Sequence, residues 1–109
     1  MKLLDEKRRR RLLSTGRARL WRSMRILREF GIAELAMTAK ASKANAAQYV
    51  AGLLRARYLS VRSPRRNGSR EPATIYTLAR EAGPLPPQLR DDGTVLDFNT
   101  AAATIGRLL

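Results

Sequence analysis

SKANAAQYVAGLLRARY, residues Ser42–Tyr58, is the stretch on which the fold turns. Its spacing predicts a helix. Ser42 is a good N-cap, because its hydroxyl accepts a bond from a free backbone N–H one turn on. Ala46, Val50 and Leu53 then recur at helical spacing and make an inward stripe. Lys43, Ala44, Asn45, Ala47 and Gln48 lie off that stripe. They are short or amide-bearing, with one cation. A helix end that enters a DNA major groove needs little bulk, and it needs donors and acceptors for base edges. Taken alone, this stretch reads first as an ordinary amphipathic core helix; its neighbours reverse that preference.

Upstream, Ala33–Ala39 predicts a short helix with Ile32, Leu35 and Ala36 pointing inward, and Lys40-Ala41 makes the turn into Ser42. Before it, Arg17–Phe30, RARLWRSMRILREF, is helical in pattern, with Thr15 as its cap and Leu20, Met24, Leu27 and Phe30 as its buried stripe. Trp21 adjoins the stripe and reads as core rather than as a platform for bases. Arg22, Arg25 and Arg28 step by three along another side, as a solvated row. Gly31 is expected to stop the helix in a left-handed conformation, with Ile32 pairing as a one-residue strand. The order is helix, short helix, turn, helix. In a helix-turn-helix the second helix of the pair enters the groove.

Downstream, Leu59–Ser63 alternates like a strand. Residues 64–72, PRRNGSREP, form a loop holding Asn67-Gly68, a strong hairpin signal, and three arginines, Arg65, Arg66 and Arg70. Residues 73–78 supply a second strand through Ile75, Tyr76 and Leu78. The expected fold class is mainly α with a small β-hairpin: three helices and a basic-tipped wing, plus a basic N-terminal arm and a C-terminal tail.

Residues 17–79, carrying IAELAMTA, then AKASKANAAQYVAGLLRARYL, then VRSPRRNGSREPATIYTL, resemble a winged helix-turn-helix DNA-binding domain. The resemblance implies that helix 42–56 reads the major groove, with Ser42 as its cap and Lys43, Ala44, Asn45, Ala47 and Gln48 toward DNA. It implies that wing 64–72 meets backbone or minor groove through Arg65, Arg66 and Arg70. Small size and a terse basic sequence also resemble regulators of bacteria and their transposable phages. Two positions depart from the pattern. Arg57 stands where many members have Gly, so the left-handed turn there is expected to be strained or absent. Leu54 stands where a charged residue is common; it marks a partner surface or packs under the N-terminal arm.

Charge points to a polyanion. The 109 residues hold 22 Lys and Arg against 9 Asp and Glu, a net +13. Residues 1–30 carry 11 cations and 3 anions, residues 31–72 carry 8 and 2, and residues 73–109 carry 3 and 4. The cationic surface therefore belongs to the first two thirds. Residues 1–16 form the arm, where Lys7 precedes Arg8, Arg9, Arg10 and Arg11. Like charges packed this tightly would fray a lone helix, so the arm orders on phosphate or is a solvated helix end. Four consecutive arginines also fit a weak nuclear-localisation pattern.

Hydrophobic residues make up 44% and aromatics 6%, so the core is expected to be mostly aliphatic. With no Cys and no His, thiol nucleophiles, histidine bases and Cys-type zinc sites are excluded; no enzyme, metal or cofactor is expected. No apolar run approaches the roughly 18 residues of a membrane span. MKLLDEKRRRR holds no secretory h-region. A cytoplasmic, nucleoid-associated location is expected.

Residues 80–109 read as a tail. Pro84-Leu85-Pro86-Pro87 favours an extended polyproline-type segment, Asp91-Asp92-Gly93 a turn, residues 95–98 a short extended piece, and residues 101–109 a final helix. The tail either folds onto its own domain or docks on a sister subunit or another protein. The leading function is sequence-specific binding of double-stranded DNA in transcriptional regulation. The alternatives are RNA or ribosome binding, and a phage-type protein-interaction module using the tail. Homodimerisation fits a single small domain that reads few base pairs, with half-sites about 34–36 Å apart.

Overall fold

The computed structural model describes residues 6–63 and 74–99, except for the side chains of Arg8 and Arg9. The wing expected over 64–72, with Arg65, Arg66 and Arg70, and the final helix expected over 101–109 lie outside the described residues. What is described is a small mixed domain of four helices and two small antiparallel sheets.

Helix α1 spans Glu6–Leu13, with Glu6 in its first turn and Arg10 and Arg11 in its last, the arrangement a helix dipole favours. Ser14 Oγ and Thr15 Oγ1 each donate at 2.9 Å to late carbonyls of that helix, on Arg11 and Leu12. Thr15 also opens α2, Gly16–Leu27, by accepting from the Ala18 N–H at 3.0 Å.

Helix α2 stops three residues short of the expected Phe30. Arg28 adopts φ +67° and donates its N–H to the Met24 carbonyl, and the chain then becomes extended. Strand β1, Glu29–Phe30, pairs with β3, Ile75–Leu78, and the Arg28 carbonyl accepts from the Leu78 N–H at 2.9 Å. Phe30 is buried as foreseen, but as a strand residue opposite Tyr76 rather than as part of the helix. Gly31 is not left-handed. Its φ of −95° and ψ of 170° make it the N-cap of α3, Ile32–Ala39, and Ile32 is helical rather than a strand residue.

Helix α4 spans Lys43–Arg55 and leads into β2, Leu59–Ser63, which pairs with β3 on its other side. The sheet order is β1-β3-β2. Arg57 adopts the left-handed turn, at φ +67°, so of the two expectations, strained or absent, the turn is present on a residue that is not glycine. The Tyr58 N–H reaching the Leu53 carbonyl at 2.9 Å closes the helix end. Leu54 is half-buried against the core rather than freely exposed.

The core joins Leu20, Trp21 and Met24 of α2, Leu35 and Ala36 of α3, and Ala46, Tyr49, Val50 and Leu53 of α4 to Phe30, Tyr58 and Leu59. Trp21 is central, not marginal, at 0% exposure, and its ring meets Tyr58 edge-on at 6.1 Å. Burying each large side chain contributes on the order of 1.5–3 kcal/mol.

Residues 80–99 close over this core. The three most voluminous buried side chains each donate one hydrogen bond to them, every one at 2.7 Å: Trp21 Nε1 to the Gly83 carbonyl, Tyr49 Oη to the Pro87 carbonyl, and Tyr58 Oη to Asp97 Oδ2. Large aromatic side chains with a polar end require such partners once buried. The polyproline-type segment bends at Pro84 and Leu85 and buries Leu85, Pro86 and Pro87. Strand β4, Gln88–Leu89, pairs with β5, Val95–Leu96, around the expected Asp91-Asp92-Gly93 turn. Of the two readings of the tail, folding onto its own domain describes residues 80–99.

Candidate nucleic-acid interface

The first turn of α4 is built by its cap. Ser42 is extended, at φ −73° and ψ 153°, and its Oγ accepts from the Asn45 N–H at 3.0 Å. Before it, Lys40 is left-handed at φ 55° and ψ 48°, and the Ala41 N–H reaches back to the Ala36 carbonyl at 2.9 Å. From α2, Arg19 Nε donates to the Ala39 carbonyl at 3.1 Å, tying the turn to the helix beneath it.

The outer side of α4 is open. Ser42, Lys43, Ala44, Asn45, Ala47 and Gln48 are all exposed, while Ala46, Tyr49, Val50 and Leu53 are buried on the other side. Helical spacing divides the exposed residues. Ala44 and Gln48 share a row that continues through Ala51 and Arg55, both also exposed. Asn45 instead heads the edge that continues through Tyr49 and Gly52, and it lines a cleft toward the start of α2. Ala51 and Arg55 escaped the sequence reading. The spacing 44, 48, 51, 55 carries the signal, but these two lie beyond the helix's first turns, where groove contacts are expected.

Tyr49 anchors the back of this helix. It is fully buried, the Arg17 guanidinium sits 4.7 Å from its ring centre, and its hydroxyl holds Pro87. Burial pushes its ionisation well above the ordinary tyrosine range, opposed by the nearby Arg17 charge. Behind the next turn, Gly52 lets Leu89 of β4 pack directly against the helix backbone.

The other expected contacts are only partly visible. Arg10 and Arg11 are exposed on α1; Arg8 and Arg9 lie in the same helix. The stems of the β2–β3 hairpin are described, with Arg62 Nε 2.9 Å from Glu29 Oε2. The expected solvated row on α2 is broken up: Arg22 is exposed, but Arg25 and Arg28 meet Glu81 at 2.7 and 3.4 Å. Such exposed pairs contribute little stability, but they occupy those two cations. Among the described residues no helix is long and apolar enough to cross a membrane, and no three acidic side chains gather where they could hold a metal ion.

Comparison with models of protein families, with curated proteins and with solved structures finds no match.

Proposed function

We propose that this chain is a double-stranded DNA-binding protein of the winged helix-turn-helix kind, acting in transcriptional regulation. The observation that carries the reading is the outer side of α4: a capped helix offering exposed alanines, Asn45, Gln48, Lys43 and Arg55 on a chain of net charge +13. The element order α2-β1-α3-α4-β2-β3 and the sheet order β1-β3-β2 support it, since they hold a β-hairpin beside the helix pair. On this reading Gln48 and Asn45 pair with base edges, the alanines allow close approach, and the cations of the arm and hairpin tip supply phosphate contacts.

The test is a selection of bound sequences from random duplexes, followed by competition between the selected duplex and structured RNA at matched salt. A reproducible motif and preference for the duplex are expected. If about six cations reach phosphate, log affinity falls with log salt at a slope of about −5. Equal competition by RNA, or no enriched motif, would overturn the reading. The symmetry of the motif reports whether two copies bind together.

A further inference from the structure

The start of α2, the α3–α4 turn and the start of α4 converge on one cleft of about 400 Å³. Arg17 and Arg19 line it from α2 and Lys40 from the turn, with Thr15, Ser42 and Asn45 between them. None of the three cations has a carboxylate within ion-pair reach among the described residues. This sets them apart from Arg25, Arg28 and Arg62, which are all paired. Arg17 Nη1 is buried and lacks any hydrogen-bond partner, the one such side-chain nitrogen or oxygen among the described residues; the guanidinium that carries it lies over the Tyr49 ring and also borders the neighbouring cavity at Pro86 and Pro87. A buried donor left unmade is costly, which favours a turn of the guanidinium into the cleft toward an acceptor. The N-terminal ends of α2 and α4, helices of 12 and 13 residues, open at the same place and add their partial positive charge.

We propose that this cleft is a phosphate seat. It takes one phosphodiester of the bound duplex, gripped by Lys40 and by Arg17 turned toward it. The proposal rests on the DNA-binding reading for the source of the phosphate, and on the cleft alone for its chemistry. Arg19 contributes charge while its Nε holds the Ala39 carbonyl. A phosphate here would fix the register of α4 from its N-terminal end, so that the row Ala44, Gln48, Ala51 and Arg55 meets base edges in one alignment.

The experiment uses the full chain and two probes, inorganic phosphate and a duplex from the selection. Amide NMR with inorganic phosphate is expected to move Gly16, Arg17, Ser42 and Lys43 together, and to lose that response in the double variant Arg17→Gln/Lys40→Asn. Asn tolerates the left-handed position of Lys40. With duplex, the same variant should make the salt slope shallower by about 0.9, the share of one phosphate. Arg22→Gln, outside the cleft, should leave the slope and the phosphate response unchanged. Far-UV circular dichroism and the remaining amide spectrum confirm that each variant is folded; Lys40→Asn alone, at an exposed residue, serves if the double variant is not, and should weaken the phosphate response at Ser42 and Lys43, an unchanged response counting against the seat.

Phosphate shifts scattered over the whole cationic surface, or a slope change no larger than that of Arg22→Gln, would overturn the seat. If inorganic phosphate binds at the cleft but no duplex does, the DNA reading fails and a free phosphate compound is the source. If duplex binds with an unaltered slope in the double variant, the seat fails and the DNA reading stands.

Discussion

Replacing Gly52 with Ala tests how closely the C-terminal segment is packed against the back of α4. In an open helix interior the change favours folding by about 1 kcal/mol, because Gly loses more backbone freedom than Ala. Here an added Cβ would lie 2.9 and 3.0 Å from Leu89 Cδ2 and Cγ, and would overlap Leu89 Cδ1. Leu89 has limited room to retreat, since Pro87, two residues before it, is held by Tyr49 and Leu89 itself pairs with Val95. Overpacking of this kind costs about 1–3 kcal/mol. The two effects oppose one another, and the net expectation for Gly52→Ala is destabilisation of about 0–2 kcal/mol. With Leu89→Ala in the background the obstacle is gone, and the same substitution should stabilise by about 1 kcal/mol. The predicted coupling between the two sites is therefore about 1–3 kcal/mol. Urea unfolding of the wild type, both single variants and the double variant, followed by far-UV circular dichroism, measures it. If Gly52→Ala stabilises both backgrounds equally, the close approach of β4 to α4 does not exist and the packing argument is refuted.

Other substitutions probe different parts of the chain. Tyr58→Phe removes a donor from Asp97, which is 1% exposed, and should cost about 1–3 kcal/mol in the same urea assay. Burial moves the pKa of Tyr49 and Tyr58 above the ordinary tyrosine range in the folded chain, so the unfolded chain loses its phenol protons first. Their contribution is thus complete below the unfolded value of about 10 and declines as pH rises beyond it; unfolding midpoints should fall there, less steeply in Tyr58→Phe. Arg57→Gly relieves a left-handed residue and should stabilise by about 0.5–1 kcal/mol, read as a higher Tm; a lower Tm would mean that Arg57 makes an interaction of its own. Gln48→Ala should weaken binding to a selected duplex by about 1–3 kcal/mol and relax the preference at one base, with the Tm unchanged because the side chain is exposed.

The sequence alone determined those features that are local or periodic. Ser42 and Thr15 cap the helices assigned to them because a hydroxyl beside a free N–H acts within one turn. The stripes Leu20–Met24 and Ala46–Val50–Leu53 are buried because a period of 3.6 fixes which side faces in, whatever covers it. The Asp91-Asp92-Gly93 turn follows from residues that tolerate its backbone: Gly93 sits at φ +84°, and Asp92 Oδ1 accepts from Thr94. Only the tertiary structure decided where α2 ends, since Glu29-Phe30 leaves the helix to pair with a strand 46 positions later in the register Phe30↔Tyr76. It alone decided that Arg57 accepts a left-handed backbone, a local cost offset by closing α4 onto buried Tyr58. Most of all, it decided the fate of residues 80–99. Their prolines and short apolar pieces carry no period, so nothing along the chain announced that Trp21, Tyr49 and Tyr58 would each need a hydrogen-bond acceptor and find it there. The cleft between Arg17 and Lys40 was illegible for the same reason: the two residues are far apart along the chain, and only the packing of α2 against α3 brings them to one place.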